Sequence, residues 1–241
     1  MPSSLQNGVC PDCNGTGWKI LEQAELSGAE RCHCHFEGRA QRNEEAAAIP
    51  PLYQNASFDN FSTKRAPGDL ASVMNKVKHY LREFPNDQHP GLLFMGDPGS
   101  GKTHLAVAAF RELLKRGFEG LFYDYQNLLD RIRASFDPAA GVSDKEAYKV
   151  AMESEILLLD DLGAHRVTDF VEDTVTSILT YRCNNRKPLI ATTNLGDKVS
   201  PHRLTLTDRL GMRSRSRLFE MCTIVQMPLV EDYRTSNWSR R

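Results

Sequence analysis

The stretch Gly96-Asp97-Pro98-Gly99-Ser100-Gly101-Lys102-Thr103 decides how the rest of the chain is read. It fits G-x-x-x-x-G-K-[ST], a loop whose backbone N–H groups cradle phosphate oxygens. Its surroundings agree. Gly91-Leu92-Leu93-Phe94-Met95, directly before it, is a short apolar run of the kind that forms a buried parallel strand. Directly after it, Leu105, Ala108, Ala109 and Leu113 recur at helical spacing, and Gly117 supplies a stop. The motif therefore lies between a strand and a helix N-terminus, where the helix dipole favours negative charge. From there Lys102 can reach the β- and γ-phosphates of a nucleotide, and the Thr103 hydroxyl can ligate Mg²⁺.

Ile156-Leu157-Leu158-Leu159-Asp160-Asp161 is a second decisive stretch, four apolar residues ending on two carboxylates. A buried strand that stops on acids presents them at the carboxyl edge of a sheet, where ligands bind in open α/β folds. Asp160 is expected to hold Mg²⁺, directly or through water, and Asp161 to orient an attacking water as general base. Pro188-Leu189-Ile190-Ala191-Thr192-Thr193-Asn194 reads as a further strand. Its terminal amide, Asn194, is placed to hold the attacking water or to sense the γ-phosphate. Leu121 to Tyr125 and Cys222 to Met227 complete the expected strands. Between the acidic strand and Pro188, Thr168 or Asp169 caps a helix with Val171, Val175, Ile178 and Leu179 inward.

Composition narrows the class. The 241 residues suit one full domain plus a small appendage, and 40% hydrophobic residues are enough for a core. A formal charge of −1 makes no general case for a nucleic-acid partner, so any basic surface has to be local. No apolar run approaches the ~20 residues of a membrane span, and Met1 to Gly8 lacks a signal pattern, which points to a cytoplasmic protein. Six cysteines in such a chain suggest metal binding or burial before disulfides.

The cysteines are unevenly spread. Cys10-Pro11-Asp12-Cys13 is followed by Asn14-Gly15-Thr16-Gly17, a short run Trp18 to Leu21, and then Cys32-His33-Cys34-His35. A C-x-x-C turn lets two thiolates and backbone N–H groups converge on one zinc. Cys10, Cys13, Cys32 and Cys34 are the expected ligands of a structural Zn²⁺, and His33 or His35 could replace one thiolate, since the second pair is tighter than C-x-x-C. Phe36 to Ala48 is polar and alanine-rich and is expected to be helical until Pro50-Pro51 breaks it. The domain boundary is placed there, with residues 1–48 as zinc-bearing segment and linker and residues 49–241 as the main domain. Cys183 and Cys222 are expected in its core.

Several other stretches remain open. Leu52, Tyr53, Phe58 and Phe61 precede the nucleotide fold and either pack beside the adenine or cover the sheet edge. Leu70, Val73, Met74, Val77, Leu81 and Phe84 describe an amphipathic helix whose lysines and His79 face solvent. Arg131, Arg133, Lys145 and Lys149 could contact DNA or be solvated. From Asp208 to Glu220 the chain is arginine-rich. If it is helical, Arg213 and Arg217 share a face at i, i+4, and an anion is their natural partner: a γ-phosphate of this chain or of a neighbouring subunit, or DNA. The tail from Glu231 is expected to fray.

Taken together, Gly-Lys-Thr-His-Leu (Gly101 to Leu105), Leu-Asp-Asp-Leu-Gly (Leu159 to Gly163), Thr-Thr-Asn (Thr192 to Asn194) and Ser-Arg-Leu-Phe-Glu-Met-Cys (Ser216 to Cys222) resemble the AAA+ ATPases of the DnaC/DnaI helicase-loader type, with the IstB transposition helpers as close relatives. The resemblance spans roughly Pro50 to Arg234. It implies an α/β fold, a P-loop AAA+ three-layer αβα domain with a parallel five-stranded sheet, and ATP and Mg²⁺ as cofactors. It adds His104 to the nucleotide-binding loop, marks Asn194 as a sensor, and places Arg213 and Arg217 in the arginine-finger and second-sensor region. Asp161 stands where many AAA+ proteins carry Glu, which implies slow hydrolysis. The cysteine segment resembles the helicase-gripping part of some loaders. In the family the ATPase domains assemble in a spiral around single-stranded DNA. The resemblance thus implies an ATPase that loads a replicative helicase, with the transposition helper as alternative. A small-molecule kinase or a protein unfoldase is disfavoured, by the Asp-Asp strand end with Asn194 and by the lack of an aromatic-apolar-Gly pore loop respectively.

Overall fold

The structure, a computed structural model, describes residues 10, 12–14, 16, 18–23, 26–64, 66–86, 88–134, 145–164, 168–198 and 203–236. The chain begins with an antiparallel hairpin, β1 (Trp18–Gln23) against β2 (Leu26–Arg31), which leads into α1 (His33–Ala46). Helix α1 leans on the main domain. Asn43 Nδ2 donates to Phe118 O at 2.8 Å, Arg111 bonds Glu44, and Phe122 N donates to Ala47 O at 2.8 Å. A single 3₁₀ turn at Pro51–Tyr53 follows.

The main domain alternates strand and helix: α2 (Pro67–Glu83), β3 (Gly91–Met95), α3 (Lys102–Lys115), β4 (Gly120–Asp124), α4 (Tyr125–Ala134), α5 (Lys145–Glu153), β5 (Ile156–Asp160), α6 (Asp169–Asn184), β6 (Leu189–Thr193), α7 (Leu206–Met221), β7 (Cys222–Gln226) and α8 (Tyr233–Ser236). The five main-domain strands form one parallel sheet in the order β4-β5-β6-β3-β7. The expected parallel five-stranded sheet is thus present, with the phosphate-loop strand β3 between β6 and β7.

Alternation along β3 explains the layers. Successive side chains of a strand point to opposite faces. Leu92 and Phe94 join the core formed with α2 and α3, while Leu93 and Met95 join the core formed with α4, α5, α6 and α7. β3 is wholly buried, which is why it reads as a continuous apolar run rather than an alternating one. Full burial of each leucine or phenylalanine contributes about 1.5–3 kcal/mol, so this short strand anchors both helical layers. Thr168 caps α6 by accepting from Val171 N at 3.3 Å, as its position in the sequence suggests.

Two expectations fail. Cys222 is buried, but Cys183 is only partly so, at the edge of the second core. In the described part of the tail from Glu231, Tyr233–Ser236 is helical rather than frayed, and Tyr233 N donates to Gly99 O at 3.2 Å. Residues 237–241 lie outside the described part. Among the described residues, no helix is long and apolar enough to cross a membrane.

Candidate nucleotide-binding site

The loop between β3 and α3 is built by glycines that other residues could not replace. Gly99 and Gly101 have φ of 70° and 99°, in the left-handed region that L side chains avoid. A Cβ on Gly101 would lie 2.6 Å from Phe61 Cε2, and one on Gly99 would lie 2.7 Å from Asp232 Cα. The loop is therefore clasped between the segment that precedes α2 and the C-terminal segment. Behind it the first turn of α3 carries Lys102 and Thr103.

Lys102 is 6% exposed and its ammonium makes three bonds, to Gly96 O and Asp97 O at 2.9 Å each and to Asn194 Oδ1 at 2.7 Å. Burial pulls its pKa below the ordinary lysine value, opposed by the charges of Asp161, Asp160 and Asp97. Thr103 Oγ1 donates to Asp160 Oδ1 at 2.9 Å, and Thr192 Oγ1 donates to the same oxygen at 2.6 Å. Asn194 Nδ2 donates to Asp161 Oδ1 at 2.6 Å. Burial raises both aspartates above the usual carboxylate range. For Asp160 the two threonine hydroxyls work against the rise, and for Asp161 the Lys102 charge does. Asp161 itself sits at φ 57°, which turns its carboxylate out of the strand line toward Asn194.

These groups face a cavity of about 480 Å³, within the range for small-ligand sites. Its floor is the phosphate loop with Lys102 and Thr103, and one wall is Asp160, Asp161, Thr192 and Asn194. Tyr53, Phe61 and His104 add aromatic lining, with the Tyr53 hydroxyl against Thr103, and Tyr233 and Arg234 line it from the C-terminal segment. His104 is oriented by a 2.9 Å contact of Nε2 with Ser57 O, and its ring centroid lies 5.5 Å from that of Phe61. A hydroxyl and a carboxylate 2.9 Å apart are hard oxygen donors suited to Mg²⁺, and positive-φ glycines beside a lysine suit phosphates. The residues present therefore fit a magnesium nucleotide. Bound there, Mg²⁺ would supply charge neutralisation between Thr103 and Asp160.

Comparison with known proteins agrees with this chemistry. Residues 32–237 match the family described as IstB-like ATP binding protein. The chain belongs to that family. It is 28% identical over 183 residues to the replicative helicase loader DnaC of Escherichia coli (strain K12), covering 74% of this chain and 73% of that one. It is also 28% identical over 229 residues to the uncharacterized protein YqaM of Bacillus subtilis (strain 168), covering 90% and 67%. Among solved structures, that of the DnaC helicase loader aligns with a TM-score of 0.63 and 33% identity over 74% of this chain and all of the other. That of DnaI aligns with a TM-score of 0.60 at 21% identity, over 78% of this chain and 97% of the other, which shows the shared fold.

Within this IstB-like chain, the structure brings Gly99, Gly101, Lys102, Thr103, His104, Asp160, Asp161 and Asn194 to one cavity. Gly96 and Asp97 belong to it through their carbonyls on Lys102, and Ser100 Oγ closes the loop on Asp97 O at 2.8 Å. Pro98 is at its rim. The aromatic question splits: Tyr53 and Phe61 line the cavity, whereas Phe58 does not.

Arg213 and Arg217 lie elsewhere. Ser214 and Leu218 are buried on the face of α7 that meets α6, and Ser214 Oγ bonds Thr176 Oγ1 at 2.9 Å. The flanking arginines are turned away: Arg213 is exposed, and Arg217 pairs with Glu220 at 2.7 Å. Neither lines the cavity of its own chain. Two other arginines approach the loop. Arg203 pairs with Asp97 at 2.6 Å, and Arg234, held by Asp232 at 3.1 Å, lines the cavity. Sequence reasoning missed both, because neither sits in a motif and both contacts come from distant stretches of chain. Arg131 and Arg133 are exposed and lie over the rings of Tyr123 and Phe170, Lys149 lies 3.8 Å from Glu153, and the side chain of Lys145 lies outside the described residues.

In the N-terminal segment the thiols of Cys10, Cys13 and Cys32 are buried and lie within 4.8 Å of one another, with Cys10 Sγ and Cys32 Sγ 3.7 Å apart. Sulfurs about 2.3 Å from one tetrahedral zinc lie about 3.8 Å apart, so this group is suited to hold a metal. Cys34 lies in the first turn of α1, and its side chain, like those of His33 and His35, lies outside the described residues.

Proposed function

We propose that this protein is an ATP-hydrolysing AAA+ loader that places a replicative DNA helicase on single-stranded DNA. The observation that carries the reading is the joint between Thr103 and Asp160, 2.9 Å apart, beside Lys102 and Asp161. It is a site for hydrolysing a magnesium nucleotide, on a chain 33% identical to the whole of a solved DnaC helicase loader. In this reading the loop amides and Lys102 hold the β- and γ-phosphates, Thr103 and Asp160 hold Mg²⁺, and Asp161 draws the proton from the attacking water. Asn194 orients that water or reports the γ-phosphate. His104 and the aromatic lining enclose the nucleotide. Arg213 and Arg217 act on the nucleotide of a neighbouring subunit in a self-assembled oligomer. Cys10, Cys13, Cys32 and Cys34 hold one structural Zn²⁺ in residues 1–48, which present the helicase-binding element, while residues 49–241 form the ATPase.

The family description IstB-like supports a second reading, an ATP-dependent transposition helper acting on target DNA. Affinity capture with the tagged full chain separates them. Co-capture of the cell's replicative helicase, dependent on Cys10 to Cys34, supports the loader. Capture of a transposase with no helicase reverses the ranking.

A further inference from the structure

A second concavity of about 420 Å³ lies between α2 and α3 on the outer layer of the domain. Asn75, Lys78 and Arg82 face it from α2 at i, i+3 and i+7, which places them on one helical stripe, and Arg116 faces it from the C-cap of α3. Phe58 lies at its head with Lys78 Nζ 5.5 Å from the ring centroid. One carboxylate is present, Glu112, and Lys115 already neutralises it at 2.7 Å.

Arg39, Arg111, Arg203, Arg215, Arg217 and Arg234 each pair with a carboxylate. Lys78 and Arg82 have no carboxylate partner among the described residues. On a chain of formal charge −1, Lys78 and Arg82 stand in one groove beside an aromatic ring, with Arg116, whose guanidinium also donates to Leu81 O, next to them, and together they form a local anion site rather than a general basic surface. Cations that track a phosphate backbone beside a ring that can take a base are the ingredients of single-strand binding without sequence preference.

We propose that this groove binds the sugar-phosphate backbone of single-stranded nucleic acid, with Lys78, Arg82 and Arg116 on phosphates and Phe58 against a base. The inference rests on the proposed role at DNA and assigns it a place. The place is informative because one turn serves both concavities. Phe58 faces the groove, while Asn60, Phe61 and Ser62 line the nucleotide cavity. The turn is rigid: Ser57 N donates to Asn60 Oδ1 at 2.9 Å, Asn60 Nδ2 donates to Asn55 O at 2.7 Å, and Ser57 O meets His104 at 2.9 Å. A strand in the groove would therefore press on the wall of the nucleotide site.

The test is the salt dependence of binding of a fluorescein-labelled oligo-dT to the full chain, by anisotropy, without nucleotide. Each single-strand phosphate contact contributes about −0.7 to the slope of log K on log salt, so three contacts give about −2. Wild type then loses about 20-fold in affinity between about 50 and 200 mM salt, and the double variant Lys78→Ser, Arg82→Ser about threefold. Both positions are exposed, so the fold is spared. A double variant with the wild-type slope overturns the groove, as does a wild type that binds no oligonucleotide. MgATP binding, measured on the same samples, reads the ATPase proposal separately.

Discussion

Replacing Lys102 by alanine should do two separable things, and the structure sets the size of each. Without nucleotide, the variant loses three charge-assisted hydrogen bonds, two at 2.9 Å to loop carbonyls and one at 2.7 Å to Asn194. Bonds to charged groups contribute about 1.5–3 kcal/mol each, but the cost of burying the ammonium offsets a large part of that sum. The loss of a cation beside Asp160 and Asp161, both already pushed up by burial, adds to the damage. A net loss of about 2–3 kcal/mol follows, which for a chain of this size lowers Tm by roughly 5–10 °C. With nucleotide at about 100 times its Kd, wild type gains about 2.7 kcal/mol and a comparable rise in Tm, whereas the variant gains nothing. Differential scanning calorimetry with and without MgATP reads both effects. A variant that melts with wild type in the absence of nucleotide would refute the bonding of Lys102 to the loop, and a variant that still rises with MgATP would refute the phosphate site itself.

Asp160→Asn should abolish turnover, by about 100-fold or more, while leaving the free protein as stable as wild type or more so by about 0.5–2 kcal/mol. The sign follows from burial: a carboxyl raised in the folded state contributes stability at low pH that is lost as pH rises through its raised value. The Tm advantage of the variant should therefore shrink as pH falls from neutrality, and an advantage that grows would contradict it. Arg234→Ala removes a cation from the cavity wall and should weaken ATP binding about tenfold with little change in Tm, as read by titration of a fluorescent ATP analogue; unchanged affinity would place Arg234 outside the phosphate field. Arg217→Ala should leave that affinity intact but lower turnover by about 10- to 1000-fold at concentrations where chains assemble, and equal turnover there would end its role in trans. Elemental analysis should give about one zinc per chain, lost in Cys13→Ser together with cooperative melting of the N-terminal segment.

What the sequence made legible is what short-range chemistry dictates. The phosphate loop needs glycines at fixed spacing, and β3, β5 and β6 are buried on both faces, so their apolar runs stand out without knowledge of their neighbours. The Asp160, Asp161 and Asn194 placements follow from being at strand ends. Arg203 reaches Asp97 across 106 positions, and Tyr233 reaches Gly99 across the whole second half of the sheet; such contacts depend on strand order, which no local pattern encodes. The face of α7 was hidden for another reason. Its buried residue between the two arginines is Ser214, fully enclosed and bonded to Thr176, so no apolar stripe announced which way Arg213 and Arg217 would turn. The tail misled through composition: Glu231, Asp232 and Arg234 look like solvent-facing residues, yet Asp232 packs on Gly99 because a glycine leaves room for it.

The position of Asn194 bears on how Asp161 would act as the proposed general base. One amide joins the two groups that should face a triphosphate from opposite sides, accepting from Lys102 at 2.7 Å and donating to Asp161 at 2.6 Å. A γ-phosphate that draws the ammonium of Lys102 competes directly with Asn194 Oδ1, so phosphate binding and the orientation of the Asp161 carboxylate are linked through a single side chain. Asp161 is one methylene shorter than glutamate and reaches Asn194 from a left-handed backbone that costs about 1–2 kcal/mol, which the bond to Asn194 helps to hold. Asn194→Ala should then uncouple the two: ATP binding is kept within a few-fold, since Lys102 retains its two carbonyl partners, while turnover falls by at least about tenfold because the base loses its orienting partner. Equal losses in binding and turnover would show that the amide only props up Lys102, and the link between phosphate sensing and the general base would have to be sought elsewhere in the cavity.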